Sequence, residues 1–424
     1  MTPIILFSTI FLLALFGLPL FAVMSAVALG LFSLAGIDLA AVAIEMYRLA
    51  SSPTIISIPL FTLAGYFLAE SKSPTRLFQL FSSLIGDIPG SLAIVSLIVA
   101  SVFTAFTGAS GITIVALGGL LYPMLLNYGY SQKFSLGLVT TTGSLGLLLP
   151  PSLPIILYGI VAKVDIDKLF LAGLLPCLIL ILLLAGYAIY QELKFPIINK
   201  KTALLNRPTI KSALFQARYE IPLPFIILIG LYGGFFTTSE TATITLLYVF
   251  VMEFFLYKDL KIKNDFGRIV AESMGLVGAI LLILCCALGL TNYLVDEEVP
   301  KKILSLFQQY IHNKYLFLLI LNIFLLIVGC LMDIFSAIIV VLPLILPMAV
   351  AYDIHPIHLA IIFLTNLEIG YLTPPVGVNL FIASYRFNRS VIEMYKVSFP
   401  FLIMLLIGLL IVTYVPQISL IFIK

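Results

Sequence analysis

A chain of 424 residues that is 62% hydrophobic and only 10% charged does not carry enough polar surface for a soluble globule of that size. Its mean hydropathy is +1.18, and apolar runs of more than about 18 residues recur along it, so it reads as a polytopic membrane protein built of helices. A net charge of +3 implies no bulk attraction to nucleic acid, and four cysteines and three histidines without ligand-like spacing offer neither a disulfide framework nor a metal set.

The first stretch, MTPIILFSTIFLLALFGLPLFAV, lacks a basic leader and is longer than a signal peptide's apolar region, so it reads as a span. Segments of spanning length run 3–23, 25–46, 55–70, 133–160, 168–190, 221–236, 239–256, 267–293, 356–383 and 397–420. Residues 221–257 are too many for one crossing at about 1.5 Å per residue, and GGFFTTSE divides them. Thr237 and Glu240 have capping-box spacing, so a helix starts there. Glu45, Glu70, Glu253 and Glu272 fall near expected helix ends and read as interfacial.

Basic residues set the orientation. The polar stretch 191–220 carries Lys194, Lys200, Lys201, Arg207, Lys211 and Arg218. Loop 257–268 adds Lys258, Lys261, Lys263 and Arg268, and loop 385–396 adds Arg386, Arg389 and Lys396. Counting spans puts all three on one side, which the positive-inside rule makes the cytoplasm, with both termini outside.

The chain repeats itself. YPMLLNYGYSQKFSLGLVTTTGSLGLLLPP (122–151) aligns without a gap onto LPMAVAYDIHPIHLAIIFLTNLEIGYLTPP (346–375). Pro123 meets Pro347, Thr141 meets Thr365, Gly146 meets Gly370, and Pro150 and Pro151 meet Pro374 and Pro375. Five spans separate the copies, an odd number, so they lie inverted across the membrane. Paired helix breaks in inverted repeats are the mark of a secondary transporter with its site near the midplane. Prolines remove backbone donors, and irregular backbone at that depth is tolerated only where it is buried or lines a cavity. Upstream of each break an over-long apolar stretch is interrupted, 91–127 by TGASG (107–111) and 315–350 by GCLMD (329–333), as re-entrant hairpins require. PTRLFQLF (74–81) resembles PKKILSLF (300–307), and both suit helices lying along the interface.

The expected fold is therefore an all-α polytopic membrane protein of two inverted-topology repeats. The first, 1–190, holds scaffold helices, an interfacial arm at about 74–86, a hairpin at 91–127 and a Pro-Pro-broken helix at 133–160. A basic cytoplasmic linker spans 191–220. The second repeat, 221–424, holds scaffold helices, an arm at about 300–310, a hairpin at 315–350, a broken helix at 356–383 and a final helix.

FTAFTGASGITIVALGGLLYP, YSQKFSLGLVTTTGSLGLLLPPSLPIILYG, GLYGGFFTTSETA and NLEIGYLTPPVGVNLFIAS resemble the large membrane subunit of TRAP (tripartite ATP-independent periplasmic, DctM-like) transporters over nearly the whole chain. The resemblance implies sodium-driven uptake of an organic anion through the bacterial cytoplasmic membrane by an elevator movement of a transport domain against a scaffold. It also implies an extracytoplasmic binding protein (DctP-like) and a small four-helix membrane subunit (DctQ-like) on a separate chain. Gly370, Thr373 and Val376 match the family's cation-binding stretch, joined by Gly329 and Asp333 at the second tip. Repeat symmetry gives Gly146, Leu149 and Ser152 the equivalent place, with Thr107 and Ser110 of the first tip. Ala109 stands where the family has a serine. Gly108, Ala109, Ser110 and the four motif prolines are the candidate substrate contacts.

Sodium prefers hard oxygen donors, and the helix N-termini at the tips would offer amides to a carboxylate. Asp333 and Glu368 are acids within apolar sequence and so candidates for function, with satisfaction of Glu368 by a neighbouring amide the alternative. Three other readings compete: a stand-alone ion-coupled anion transporter, a passive channel, for which the sequence suggests no continuous polar pore, and an intramembrane serine protease built on the G-x-S-G of Gly108–Gly111, which would need a general base beside Ser110.

Overall fold

The computed structural model of the chain describes residues 12, 18–51, 53–195, 208–233 and 235–423. Most of the first expected span, Gly234, and Lys200, Lys201 and Arg207 of the linker lie outside these. Helices α1 (Leu20–Leu34), α2 (Ala40–Ala50), α3 (Ser57–Glu70) and α4 (Ser73–Ile85) open the chain. A hairpin of α5 (Ser91–Thr107) and α6 (Ser110–Tyr128) follows, then a helix broken into α7 (Gln132–Thr142) and α8 (Leu153–Ala162), and then α9 (Ile166–Lys194). Next come α10 (Ile210–Gln216), α11 (Pro222–Tyr232), α12 (Thr238–Val251) and α13 (Gly267–Asp296). The same succession then recurs: a short α14 (Val299–Tyr310), a hairpin of α15 (Lys314–Leu331) with α16 (Ile334–Val340) and α17 (Leu342–Ala351), and a broken helix, α18 (Pro356–Gly370) and α19 (Val378–Phe387). Helix α20 (Val391–Tyr414) and the turn α21 (Gln417–Leu420) end it. Among the described residues seven helices are long and apolar enough to cross a membrane, or nine if each of two bent pairs is one crossing.

Most boundaries fall where punctuation in the sequence put them. The capping box at Thr237 forms, with Glu240 N donating to the threonine hydroxyl and Thr237 N donating to the Glu240 carboxylate at 2.8 Å. The first spans are a correction. Helix α1 starts at Leu20, and the second expected span, 25–46, is interrupted at 35–39, where Gly36 takes φ +72° and Asp38 Oδ1 accepts from Ala40 N at 2.9 Å. Hydropathy registers neither signal. The second hairpin also bends by 60° between α16 and α17, where Pro343 cannot continue the ladder of α16.

The helices form two groups. In one, α13 packs along α1, α2 and α3, while α12 packs on α3 and α11. In the other, α5 to α9 interleave with α15 to α21; α15 lies on α18, and α20 lies on α7 and α9. Helices α3 and α13 meet this second group through α5 and α16. Each hairpin returns to the level at which it starts. Glu192 Oε2 accepts both from Gly90 N, just before α5, at 2.8 Å and from Tyr130 OH, just after α6, at 2.5 Å. In the second hairpin, Tyr352 OH donates to Ile311 O at 2.7 Å, and Lys314 Nζ to Asp353 O at 2.6 Å.

The arm α4 is held by charge. Arg76 sends its guanidinium to the carboxylates of Glu220 and Asp259 and, at 3.2 Å, to Glu253. It stacks 3.7 Å from the centre of the Tyr257 ring, whose hydroxyl donates to Glu220 at 2.6 Å. The planar fork satisfies several acceptors at once, as lysine's point charge would not. Glu253, just past the end of α12, is fully buried, and Glu220, expected in a polar linker, is buried against α4. The linker is shortened at both ends, by α9 running to Lys194 and by α10 packing on α4. Arg76→Leu would strand three carboxylates and cost about 3–5 kcal/mol. The expected result is a clearly lower thermal midpoint of the purified protein, with Arg76→Lys intermediate.

Candidate substrate and cation site

Between the two groups lies a cavity of about 1070 Å³. Tyr66 and Glu70 of α3 and Glu272, Leu276 and Ile280 of α13 form one wall. Both hairpin tips form the other, Gly108 to Ile112 from the first and Asp333 to Phe335 from the second. Leu147 and Tyr371, each the residue after a motif glycine, complete it. Of the candidate substrate contacts, Gly108, Ala109 and Ser110 line this cavity, and Pro150, Pro151, Pro374 and Pro375 do not.

The tips occupy equivalent places with different chemistry. Ala109 and Asp333 are the N-caps of α6 and α16 and share the offset that relates Gly146 to Gly370. Asp333 fills its own helix terminus, accepting from Ser336 N at 2.8 Å and from the Ser336 hydroxyl. Ala109 has no side-chain acceptor, so the first amides of α6 stay open towards the cavity. Of two tips expected to offer amides, one does. Ser110 Oγ donates to Asn379 Oδ1 at 2.7 Å, tying the first tip to the helix after the second Pro-Pro pair. Asn379 was not among the expected site residues, although it lies in the NLEIGYLTPPVGVN stretch; it is fully buried and its Nδ2 has no partner.

Behind the first tip, three buried threonines converge. Thr104 Oγ1 lies 2.8 Å from Ala100 O, 2.9 Å from Gly143 O and 2.9 Å from Thr113 Oγ1. Thr107 Oγ1 lies 3.4 Å from Thr113 Oγ1 and 3.5 Å from Ala109 O. Three hydroxyls bring three protons to five close oxygen contacts, so two contacts have none to share. A neutral set of hydroxyl and carbonyl oxygens suits a hard monovalent cation. Of the expected first sodium set only Thr107 belongs to this cluster; Ser110 turns to Asn379, and Gly146, Leu149 and Ser152 form a separate turn. Thr104 and Gly143 were missed, because a threonine in an apolar helix gives no signal of its own.

Several carbonyls of the Pro-Pro breaks already have donors. In the first, Gly146 O accepts from Leu149 N, Leu149 O from Ser152 N, and Leu147 O from the Ser152 hydroxyl. In the second, Gly370 O accepts from Thr373 N at 3.0 Å and from the Thr373 hydroxyl at 2.8 Å, and Gly377 N reaches Cys330 O at 3.3 Å. Both Pro-Pro bonds are cis. Gly329, Gly370 and Thr373 are therefore brought together, while Val376 is 39% exposed and Asp333 serves as a cap. Glu368 is fully buried, and neither of its carboxylate oxygens finds a neighbouring amide. Among the described residues no cluster of histidine, cysteine or acid could hold a metal ion; His358 bonds to Ser419 Oγ and Thr413 O.

A family model described as "Tripartite ATP-independent periplasmic transporter, DctM component" matches residues 7–418. The chain belongs to this family. It is 33% identical to the C4-dicarboxylate TRAP transporter large permease protein DctM of Pseudomonas aeruginosa, over 89% of this chain and 88% of that one. With the protein of the same name from Rhodobacter capsulatus it shares 30% identity over 99% and 98%. It also matches the isethionate TRAP transporter permease protein DctMQ of Oleidesulfovibrio alaskensis at 32% identity over 99% of its own length, spanning 66% of that protein. Its fold resembles that of the YdaH transporter of Alcanivorax borkumensis, with a TM-score of 0.62 and 12% identity over 90% of this chain and 88% of the other.

The permease is thus a multi-pass membrane protein of a transporter family and not an enzyme. Ser110 agrees: its hydroxyl is bonded to an amide oxygen, not to a base. The motif glycines of the permease are packing residues as well as candidate site residues. A Cβ on Gly146 would stand 1.9 Å from Ser101 O in α5, and one on Gly370 would stand 2.6 Å from Gly329 Cα in α15. Each break is therefore pressed backbone to backbone on the first arm of its own hairpin. Gly146→Ala and Gly370→Ala are each expected to cost on the order of 3 kcal/mol. Size-exclusion profiles and melting curves check this against Gly186→Ala, where a Cβ meets nothing within 4 Å and no change is expected.

Proposed function

We propose that this permease takes up a small organic anion, a carboxylate, driven by sodium, across the bacterial cytoplasmic membrane. The observation that carries the reading is the proton-poor oxygen cluster of Thr104, Thr107, Thr113 and Gly143 directly behind the one hairpin tip whose amides are open to the cavity. A cation there supplies positive charge beside the substrate's carboxylate, and the amides at the start of α6 orient it. The two elements are then filled together, which is how binding of one ligand favours the other.

In this reading the helix group holding both tips moves as a body against the group holding α3 and α13, each contributing a wall of the cavity. The two hairpin and broken-helix units lie inverted in the membrane, and the loops carrying Lys211, Arg218, Lys258 and Arg389 face the cytoplasm. Substrate arrives from an extracytoplasmic binding protein, and a small membrane subunit on a separate chain completes the three-part assembly. Names of relatives support the substrate class: C4-dicarboxylate for two large permeases and sialic acid for the SiaT protein of Haemophilus influenzae, which is 28% identical over 88% of this chain and 60% of its own length.

The test needs no substrate. A cation that binds the folded state raises its apparent stability by mass action. The thermal midpoint is expected to rise in sodium chloride relative to matched potassium and choline chloride, and the rise to vanish in Thr104→Val and Thr113→Val. Equal midpoints in all three salts, with the small subunit present, would overturn sodium coupling at this cluster.

A further inference from the structure

A second cavity, of about 640 Å³, lies at the end of the molecule where Glu192 joins Gly90 to Tyr130, away from the hairpin tips. It is enclosed by the start of α7, the end of α9 and the start of α20. Its two halves differ in chemistry. One is an aromatic wall: the Phe134 ring stacks 5.0 Å from Tyr130 and lies 5.5 Å from Phe401, which meets Tyr187 edge-on at 5.0 Å. The other carries Lys133, Lys396 and Gln191.

The acids that line the same cavity already have partners. Glu192 accepts from Gly90 N and Tyr130 OH, and Glu393 lies 3.8 Å from the Arg389 guanidinium. Lys133 and Lys396 are exposed, and among the described residues neither is paired with a carboxylate. Lys133 also sits in the first turn of α7, whose terminus favours an anion over a cation. Two unpaired ammonium groups above an aromatic pocket are the complement of an amphiphile with an anionic head.

We propose that this cavity holds an anionic phospholipid, its phosphate between Lys133 and Lys396 and the upper part of one acyl chain on Phe134, Tyr187 and Phe401. The charge complements the site and the apolar wall suits the chain. In the orientation of the proposed function, on which this step rests, Arg389 faces the cytoplasm and Lys396 lies in the second turn of α20 close behind it, so the cavity sits at the cytoplasmic leaflet, where anionic lipids attract basic residues close to the surface. A free phosphate ester would share the headgroup chemistry but leave the aromatic wall uncovered.

The test uses the purified full-length permease in detergent, with lipid retention read by native mass spectrometry and the thermal midpoint read alongside. Phosphatidylglycerol, phosphatidylcholine with the same chains, and glycerol 3-phosphate are added separately. The expected result is preferential retention of phosphatidylglycerol with a raised midpoint. Retention should fall at least about tenfold in the double variant Lys133→Gln/Lys396→Gln. It should stay unchanged in Lys211→Gln/Lys263→Gln, which removes the same charge from exposed positions elsewhere. Equal retention of the two lipids by the unaltered protein would overturn the proposal, as would equal loss in the two double variants. Stabilisation by glycerol 3-phosphate equal to that by phosphatidylglycerol would overturn it in favour of a soluble anion.

Discussion

A helix broken inside an apolar bundle must find partners for the backbone groups it gives up, and the form of this permease follows from how that is done. Two consecutive prolines remove two amide donors at each of two places. In hydrocarbon the orphaned carbonyls would each cost several kcal/mol. Tight turns recover part of the loss, and the hydroxyls of Ser152 and Thr373 recover more, each donating to a carbonyl of its own break. Gly146 and Gly370 bring each break backbone to backbone with a hairpin arm, while Pro374, Pro375 and Val376 of the second break stay exposed.

That same contact places the site. Because each break is pressed on the first arm of its hairpin, the hairpin tip and the residue after the motif glycine face the same space, and both pairs reach one cavity. The Ser110–Asn379 hydrogen bond then fixes the first tip to the second repeat. The two tips thereby form one body although 224 residues separate their caps. Pseudo-symmetry in backbone coexists with asymmetry in chemistry: alanine leaves one helix terminus open, and aspartate closes the other. The open terminus of α6 makes that end of the cavity the more favourable one for negative charge.

The opposite wall depends on a different interaction. Arg76 binds the arm that leads into the first hairpin to three carboxylates, Glu220 just before α11 and Glu253 and Asp259 between α12 and α13. The arm is thereby anchored to the group that holds α3 and α13, while the hairpin it leads into belongs to the other group. In the proposed movement of one group against the other, the change would be taken up beyond α4, in the short segment between Ile85 and Ser91, where Gly86 and Gly90 both take positive φ.

Sequence alone determined that the chain is a helical membrane protein, that hairpins break at 107–111 and 329–333, that Pro-Pro segments break two further helices, and that α12 begins at a capping box. Each of these is written in neighbouring residues, as an apolar run, a proline pair or a cap, and local chemistry decides them wherever the rest of the chain lies. It missed the break at 35–39 inside the second expected span, which a glycine and an aspartate set without any change in hydropathy. Tertiary structure decided what the polar residues do. Glu253 and Glu220 became partners of Arg76, Asn379 the partner of Ser110, and Thr104 and Gly143 part of one oxygen cluster with Thr107. The physical reason is separation: apart from Thr104 and Thr107, these partners lie tens to hundreds of residues apart, and a lone threonine or glutamate in an apolar helix looks the same whether it meets lipid, a carbonyl or an arginine. Only packing brings the second group within reach.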